Sequence, residues 1–197
     1  NQKKGKGRRQ NNWVSIPDKS LTVSFILYPQ IGLDKLGLLP ILTGVSIVQG
    51  IKSSTSIQTG LKWPNDIMLN MKKLGGILIE SKTSQSGLGV VVGIGLNINE
   101  TTHDIPNLLK DQATSLLIYS GASYSREKIL SEILNEFERI YVQKWDSMVH
   151  VWGEYCIHRK SEVSFHAEEG LHQGVFQGIS SLGHAEIHIN GKTQTFP

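Results

Sequence analysis

The chain has 197 residues, 39% hydrophobic and 19% charged, which suits one sizeable folded domain or one domain with a small appendage. No run approaches the roughly eighteen uninterrupted apolar residues of a membrane-spanning helix, and a single cysteine, Cys156, excludes an internal disulfide framework and a thiolate zinc cage and favours a reducing compartment. The net charge of +3 is uneven: Lys3, Lys4, Lys6, Arg8 and Arg9 give residues 1–9 a local +5, leaving 15 basic and 17 acidic side chains elsewhere. One basic segment on a near-neutral body points to a local anion site, with a solvated tail as the plain alternative.

In chain order, residues 21–28 are rich in β-branched and aromatic types and stop at Pro29, which predicts a buried strand. Ile41, Leu42, Val45 and Val48 predict a helix over 40–51, with Pro40 tolerable in its first turn. A strand is expected over 57–63. The runs Ile67–Met71 and Leu74–Ile79 then flank Lys72-Lys73 as a hairpin, and Leu88–Ile98 follows the turn-like Ser84-Gln85-Ser86-Gly87. Ser125 is placed to cap a helix whose apolar stripe is Ile129, Ile133, Phe137 and Ile140, with Leu130, Leu134 and Tyr141 beside it; the pattern fades near Trp152-Gly153. Short alternating stretches beyond Arg159 predict a small all-β appendage that leans on the larger unit. Strands and helices mix without a strict βαβ beat, so the expected class is α+β, a mixed sheet with packed helices. The chain starts at Asn1, without methionine, and stops at Pro197 inside a strand pattern, so it is expected to be part of a longer protein.

Three segments carry chemistry. Gly5-Lys6-Gly7-Arg8-Arg9-Gln10 interleaves cations with glycines that permit close ligand approach, yet it is neither a Walker loop nor a dinucleotide fingerprint. In Lys62-Trp63-Pro64-Asn65-Asp66 the proline forces a bend before a turn-prone pair. If the hairpin turns about Asn70–Lys72, Asp66 falls opposite roughly Gly75, with Lys73 diagonal to it at about 7–8 Å. Gly75-Gly76 inside a strand costs stability unless backbone must approach something closely. Gly93-Ile94-Gly95-Leu96-Asn97 ends a strand, where Asn97 could meet an adenine or ribose edge or simply form a turn. His184 and His188 lack companions for a metal set, no Gly-x-Ser-x-Gly elbow exists, and no motif surrounds Cys156. What remains is cations, glycines and one acid, the equipment for phosphate-transfer electrostatics.

Together, Gln2, Gly5–Arg9 with Trp13, Lys62–Asp66, Lys73–Leu78 and Gly93–Asn97 resemble the biotin protein ligase family in order and spacing. The resemblance implies a class II synthetase-like catalytic fold over 1–158 and an SH3-like C-terminal domain over 159–197. It implies a cytoplasmic enzyme, a biotin–[biotin carboxyl carrier protein] ligase, that makes biotinyl-5′-adenylate from biotin and ATP with Mg2+ and then modifies a carrier lysine. By resemblance, Gln2, Lys6, Gly7, Arg8, Gly75 and Gly76 surround biotin and the adenylate, Lys73 meets the carboxyl and phosphate oxygens, Asp66 serves the reacting groups or Mg2+, and Asn97 lies near adenosine. Lys73, Arg8 and Asp66 are the expected catalytic set. A Gly-rich loop that orders over a labile anhydride fits residues 3–10. Lys6 stands where the family commonly has arginine, Gln10 where it often has glycine, and the family's Ser/Thr-Asn segment would precede Asn1. Homodimerisation is left open, and nucleic acid would be a partner only through a preceding DNA-binding domain. A lipoate or octanoate ligase is the nearest rival, but its arginine–triple-glycine segment is missing. A nucleic-acid module using residues 3–9 would need more aromatic platforms than Trp13.

Overall fold

The computed structural model describes residue 2 and residues 5–8, 12–85, 87–143, 145–167 and 170–197. Its centre is a five-stranded sheet in the order β3-β7-β6-β5-β4, formed by β3 (Ser20–Leu27), β4 (Gly60–Lys62), β5 (Asp66–Leu69), β6 (Lys72–Ser84) and β7 (Gly87–Asn97). A two-stranded ribbon, β1 (Gly5–Lys6) with β2 (Asn12–Trp13), precedes it. The α+β class holds. Among the described residues every strand pairing is antiparallel, and parallel pairing is confined to the isolated bridges Leu61–Cys156 and Lys73–Ala113.

Helix α1 (Leu38–Thr55) starts two residues before Pro40 and ends where Ser56 turns left-handed at φ 63°. Over Leu33–Thr55 the mean hydropathy is 1.4, enough by length and composition to cross a membrane. In the fold this is the core helix: Leu39, Leu42, Val45, Ile47 and Ile51 are all fully buried. Thr43 and Ser46 tolerate that burial because their hydroxyls donate to the carbonyls of Leu39 and Leu42. Helix α3 (Arg126–Tyr141) packs on α1 with the expected stripe, and Ser125 Oγ accepts from Lys128 N at its start. A short α2 (Leu116–Ser120) precedes it. The helical pattern that runs on to Trp152 is two helices, because the chain breaks after Tyr141 and restarts as α4 (Met148–Tyr155).

Three strand expectations change. β3 is the sheet's edge and is not buried throughout: Leu21, Val23, Phe25 and Leu27 turn to the core, while Ile26 on the other face is 60% exposed and Tyr28, just past the strand, 72%. The strand expected over 57–63 shrinks to β4, since only Gly60–Lys62 finds a partner. In the β5–β6 hairpin a bulge between Ile67 and Met68 places Asp66 opposite Gly76, not Gly75. Asn70 and Met71, at φ 48° and 62°, form its two-residue turn. Ser86, expected in the β6–β7 turn, lies outside the described residues.

The last four strands, β8 (Glu162–Ala167), β9 (Gly170–Ile179), β10 (Ala185–Ile189) and β11 (Lys192–Phe196), form a second antiparallel sheet in the order β11-β10-β9-β8. Phe176, Ile179, Ala185 and Ile187 join the same buried cluster as α1, so this sheet closes one end of the main core.

Candidate active site

One face of the large sheet rests on α1 and α3; the other presents a row of very small residues. The register aligns Thr22, Gly95, Gly76 and Asp66 across four strands, with Ser24, Gly93 and Leu78 in the next layer. Above this floor is a cavity of about 410 Å³, within the range of small-molecule sites.

The glycines have side chains of other residues lying on them. A Cβ at Gly95 would come 2.6 Å from the Trp13 indole, and one at Gly76 would meet the Lys73 ammonium at 3.6 Å. Gly93 is different: its nearest neighbours would be Leu78 O at 3.4 Å and Ser24 Oγ at 3.6 Å, so it is open floor. The β1–β2 ribbon sets Trp13 in place through the Gly5–Trp13 pairing, and brings Lys6, Gly7 and Arg8 to the cavity wall beside Gln2.

Lys73 and Asp66 meet directly, Nζ to Oδ1 at 2.6 Å. The bulge makes this contact: Leu74 is the extra residue, and it restores Lys73 to the cavity face that Gly76 occupies. The Lys73 backbone is tied on both sides, its N donating to Gln112 O at 2.7 Å and its O accepting from Thr114 N at 2.9 Å. Lys72 points away and donates to Lys110 O at 2.8 Å. The corner before Asp66 is held twice, Asn65 Nδ2 donating to Ile77 O at 2.7 Å and Ile77 N to Asn65 O at 2.9 Å.

Of the expected residues, Gln2, Lys6, Gly7, Arg8, Asp66, Lys73 and Gly76 line the cavity. Gly75 does not: it faces the core, where a Cβ would strike Gly95 O and Leu96 at 2.4 Å. Asn97 is off the wall too, donating through Nδ2 to Thr114 O at 3.0 Å. Lys3, Lys4, Arg9 and Gln10 lie outside the described residues. The sequence reading missed Thr22, Ser24 and Glu80 as wall residues, although strand alternation from Thr22 and Gly76 finds Ser24 and Glu80; Asn65, Gly93 and Gly95 lie in segments it singled out but were given no place on the wall.

Two buried polar atoms on this wall, Trp13 Nε1 and Thr22 Oγ1, have no hydrogen-bond partner among the described residues. Such groups are costly unless water or a ligand supplies the missing partner. Three cations, Lys6, Arg8 and Lys73, against Asp66 and Glu80 make the cavity suited to joining two anions. Among the described residues no cluster of three or more His, Cys, Asp or Glu could hold a metal alone.

Residues 1–97 match the Biotin/lipoate A/B protein ligase family. The chain is 36% identical over 187 residues to the bifunctional ligase/repressor BirA of Bacillus spizizenii, covering 91% of itself but 57% of that protein. It is 29% identical over 198 residues to the biotin–[acetyl-CoA-carboxylase] ligase of Mycobacterium tuberculosis, 96% of this chain and 71% of the relative. Among solved structures, the biotin protein ligase of Aquifex aeolicus in complex with biotin and ATP superposes with a TM-score of 0.84 at 30% identity, covering 99% of this chain and 82% of that one. Likeness of sequence and of fold over almost the whole length shows that the chain belongs to the biotin protein ligase family.

Proposed function

We propose that the protein is a biotin–[biotin carboxyl carrier protein] ligase, forming biotinyl-5′-adenylate from biotin and ATP and passing biotin to a carrier lysine. The convergence of Lys6, Arg8, Lys73 and Asp66 on one glycine-floored cavity carries this reading. The names of the relatives support it, and the Aquifex aeolicus ligase holds biotin and ATP. The chain spans a little over half the length of the BirA relatives, so the activity is proposed on the part in hand.

In the first step a biotin carboxylate oxygen attacks the α-phosphorus of ATP, the bond to the β-phosphate bridging oxygen breaks, and pyrophosphate leaves. Two anions must approach, and fixed cations offset their repulsion where charge concentrates. Lys73 serves the meeting point of carboxylate and phosphate, Asp66 keeps its ammonium aimed over Gly76, and Lys6 and Arg8 hold phosphate oxygens. Lysine at position 6 is a point donor; among the described residues of the cavity wall, Arg8 alone offers the planar fork. Gly93 leaves room for the acyl chain on the floor, and Trp13 covers the far end. In the second step the carrier amine attacks the acyl carbon, the amide forms, AMP leaves, and the proton passes to solvent.

Mg2+ is commonly held by one or two carboxylates together with substrate phosphates. Asp66 supplies one carboxylate at the cavity, which fits; when bound, the ion would neutralise phosphate charge. Residues 1–158 would form the catalytic domain and 159–197 an SH3-like one, and a reducing cytoplasm suits Cys156. Biotin-dependent exchange of pyrophosphate with ATP tests the reading. Exchange driven equally by lipoate, or none with either acid, refutes it.

A further inference from the structure

The short loop between β4 and β5 is anchored from outside the large sheet. Trp63 Nε1 donates to Gly183 O at 3.1 Å, across to the turn that joins β9 and β10. That turn is rigid in itself: Ser180 N donates to His184 O at 2.8 Å, Gly183 N to Ser180 O at 2.9 Å, and Ser180 Oγ accepts from the amides of both Leu182 and His184 at 3.3 Å. It is also wedged against the start of α1. Gly183 has φ +82°, and a Cβ there would sit 2.5 Å from Gly37 O; a Cβ at Gly37 would sit 2.5 Å from Leu182 O. No side chain larger than hydrogen fits between these backbones, so the carbonyl that receives Trp63 has a fixed position.

From that fixed point the chain runs Trp63, Pro64, Asn65, Asp66. Asn65 is clamped to Ile77 by two hydrogen bonds, and Asp66 follows at once with its oxygen on Lys73. The direction of the Asp66 carboxylate, and through it of the Lys73 ammonium, therefore depends on how the loop is pitched. The Asn65–Ile77 clamp fixes one end of that pitch and the Trp63–Gly183 bond the other. A partly buried indole N–H needs an acceptor in any case; here the acceptor is a backbone carbonyl of the β9–β10 turn, which ties the loop to that turn.

We infer that Trp63 is a positioning residue for the reaction proposed above, and that the β9–β10 turn is the anchor through which the C-terminal sheet holds the Asp66–Lys73 pair in reacting geometry. The loop is the link from that turn to the site that the inference needs; Trp63 is not among the residues that line the cavity.

Trp63→Phe keeps a ring in place and removes the donor. Small misplacement of reacting groups costs rate steeply, so kcat for biotin-dependent pyrophosphate exchange should fall about tenfold. KM for biotin and ATP should stay within about twofold of the parent, since the cavity walls are intact. The melting temperature should change little. Ser180→Ala loosens the turn from the other side without touching Trp63 or the cavity, and should lower kcat in the same way by a smaller factor. The double variant should be no slower than Trp63→Phe alone, because both act on one anchor. Amide hydrogen exchange at Ile77, whose N–H holds Asn65 O, should quicken in both variants. Unchanged kcat and unchanged Ile77 exchange in Trp63→Phe would overturn the inference, as would multiplicative losses in the double variant. If Trp63→Phe unfolds, Ser180→Ala decides by the same readouts. Should the parent show no exchange of pyrophosphate, the ligase reading fails, and the Ile77 amide still decides whether the anchor exists.

Discussion

Replacing Lys73 by alanine separates chemistry from folding more cleanly than any other change in the cavity. The side chain is 41% exposed and its partner Asp66 27%, so the pair is a partly solvated contact at 2.6 Å. Ion pairs of this kind contribute at most about 1 kcal/mol to stability. The backbone bonds of Lys73 to Gln112 and Thr114 survive truncation, so the bulge that shapes the strand should persist. Catalysis is another matter. An ammonium placed where a carboxylate and an α-phosphate meet acts on charge that concentrates in the transition state, and loss of one such donor costs roughly 3–4 kcal/mol, or about 10²–10³ in rate. Lys72→Ala is the control: its ammonium lies on the Lys110 carbonyl, away from the cavity. Both variants should be assayed for pyrophosphate exchange at saturating biotin and ATP, with thermal melts alongside. Equal losses in the two, or a loss in Lys73→Ala matched by unfolding, would remove Lys73 from the mechanism.

The readable parts of this fold were those with a clean period. The stripe of α3 and the alternation of the C-terminal strands are local properties, and both elements fall where the sequence puts them. Helix α1 is buried on nearly every side from Leu38 to Ile51, with Lys52 and Ser53 exposed near its end, so no stripe betrays its first turn. Lys73 and Asp66 were visible as a pair, yet the reason they touch was not. The bulge at Leu74 depends on what packs beneath the hairpin, and strict alternation would have sent Lys73 and Gly76 to opposite faces. Gly75 could have been excluded from the sequence, since it shares its face with Ile77, a core residue, while Gly76 shares its face with Leu78 and Glu80. Asn97 could not, because its partner, the Thr114 carbonyl, comes from a segment with no local signal. The same holds for Trp13: the ribbon that carries it pairs locally, Gly5 with Trp13, but its seat, Gly95, belongs to a distant strand.

Gly93→Val should fold as well as the parent, since its surroundings leave room, yet weaken biotin binding by about tenfold, roughly 1.4 kcal/mol by calorimetric titration; undiminished affinity would show that the acyl chain lies elsewhere. Gly95→Ala should do the reverse and lower the melting temperature by displacing Trp13. Burial raises the Glu100 carboxyl above its ordinary value, partly offset by the Ser20 hydroxyl. The folded state thus holds that proton more tightly than the unfolded chain, and stability is lost as pH rises through the folded value. Glu100→Gln should then gain in melting temperature relative to the parent as pH increases, and a constant difference would refute this. His158 works in the opposite sense. Burial, with the Lys62 charge nearby, pushes it down to about 4 from 6.5, and its ring stacks on Phe176 at 4.2 Å between centroids. Above 6.5 neither state is protonated and the full stability is present; as pH falls the unfolded chain takes up a proton that the folded one refuses. The loss between those values amounts to roughly 3 kcal/mol at about 1.4 kcal/mol per pH unit. His158→Phe keeps an aromatic ring on Phe176 and deletes the proton site. Urea unfolding from neutral pH to about 4.5 should give the variant the shallower acid decline. Parallel curves for parent and variant would mean that His158 is protonated in the fold as readily as outside it.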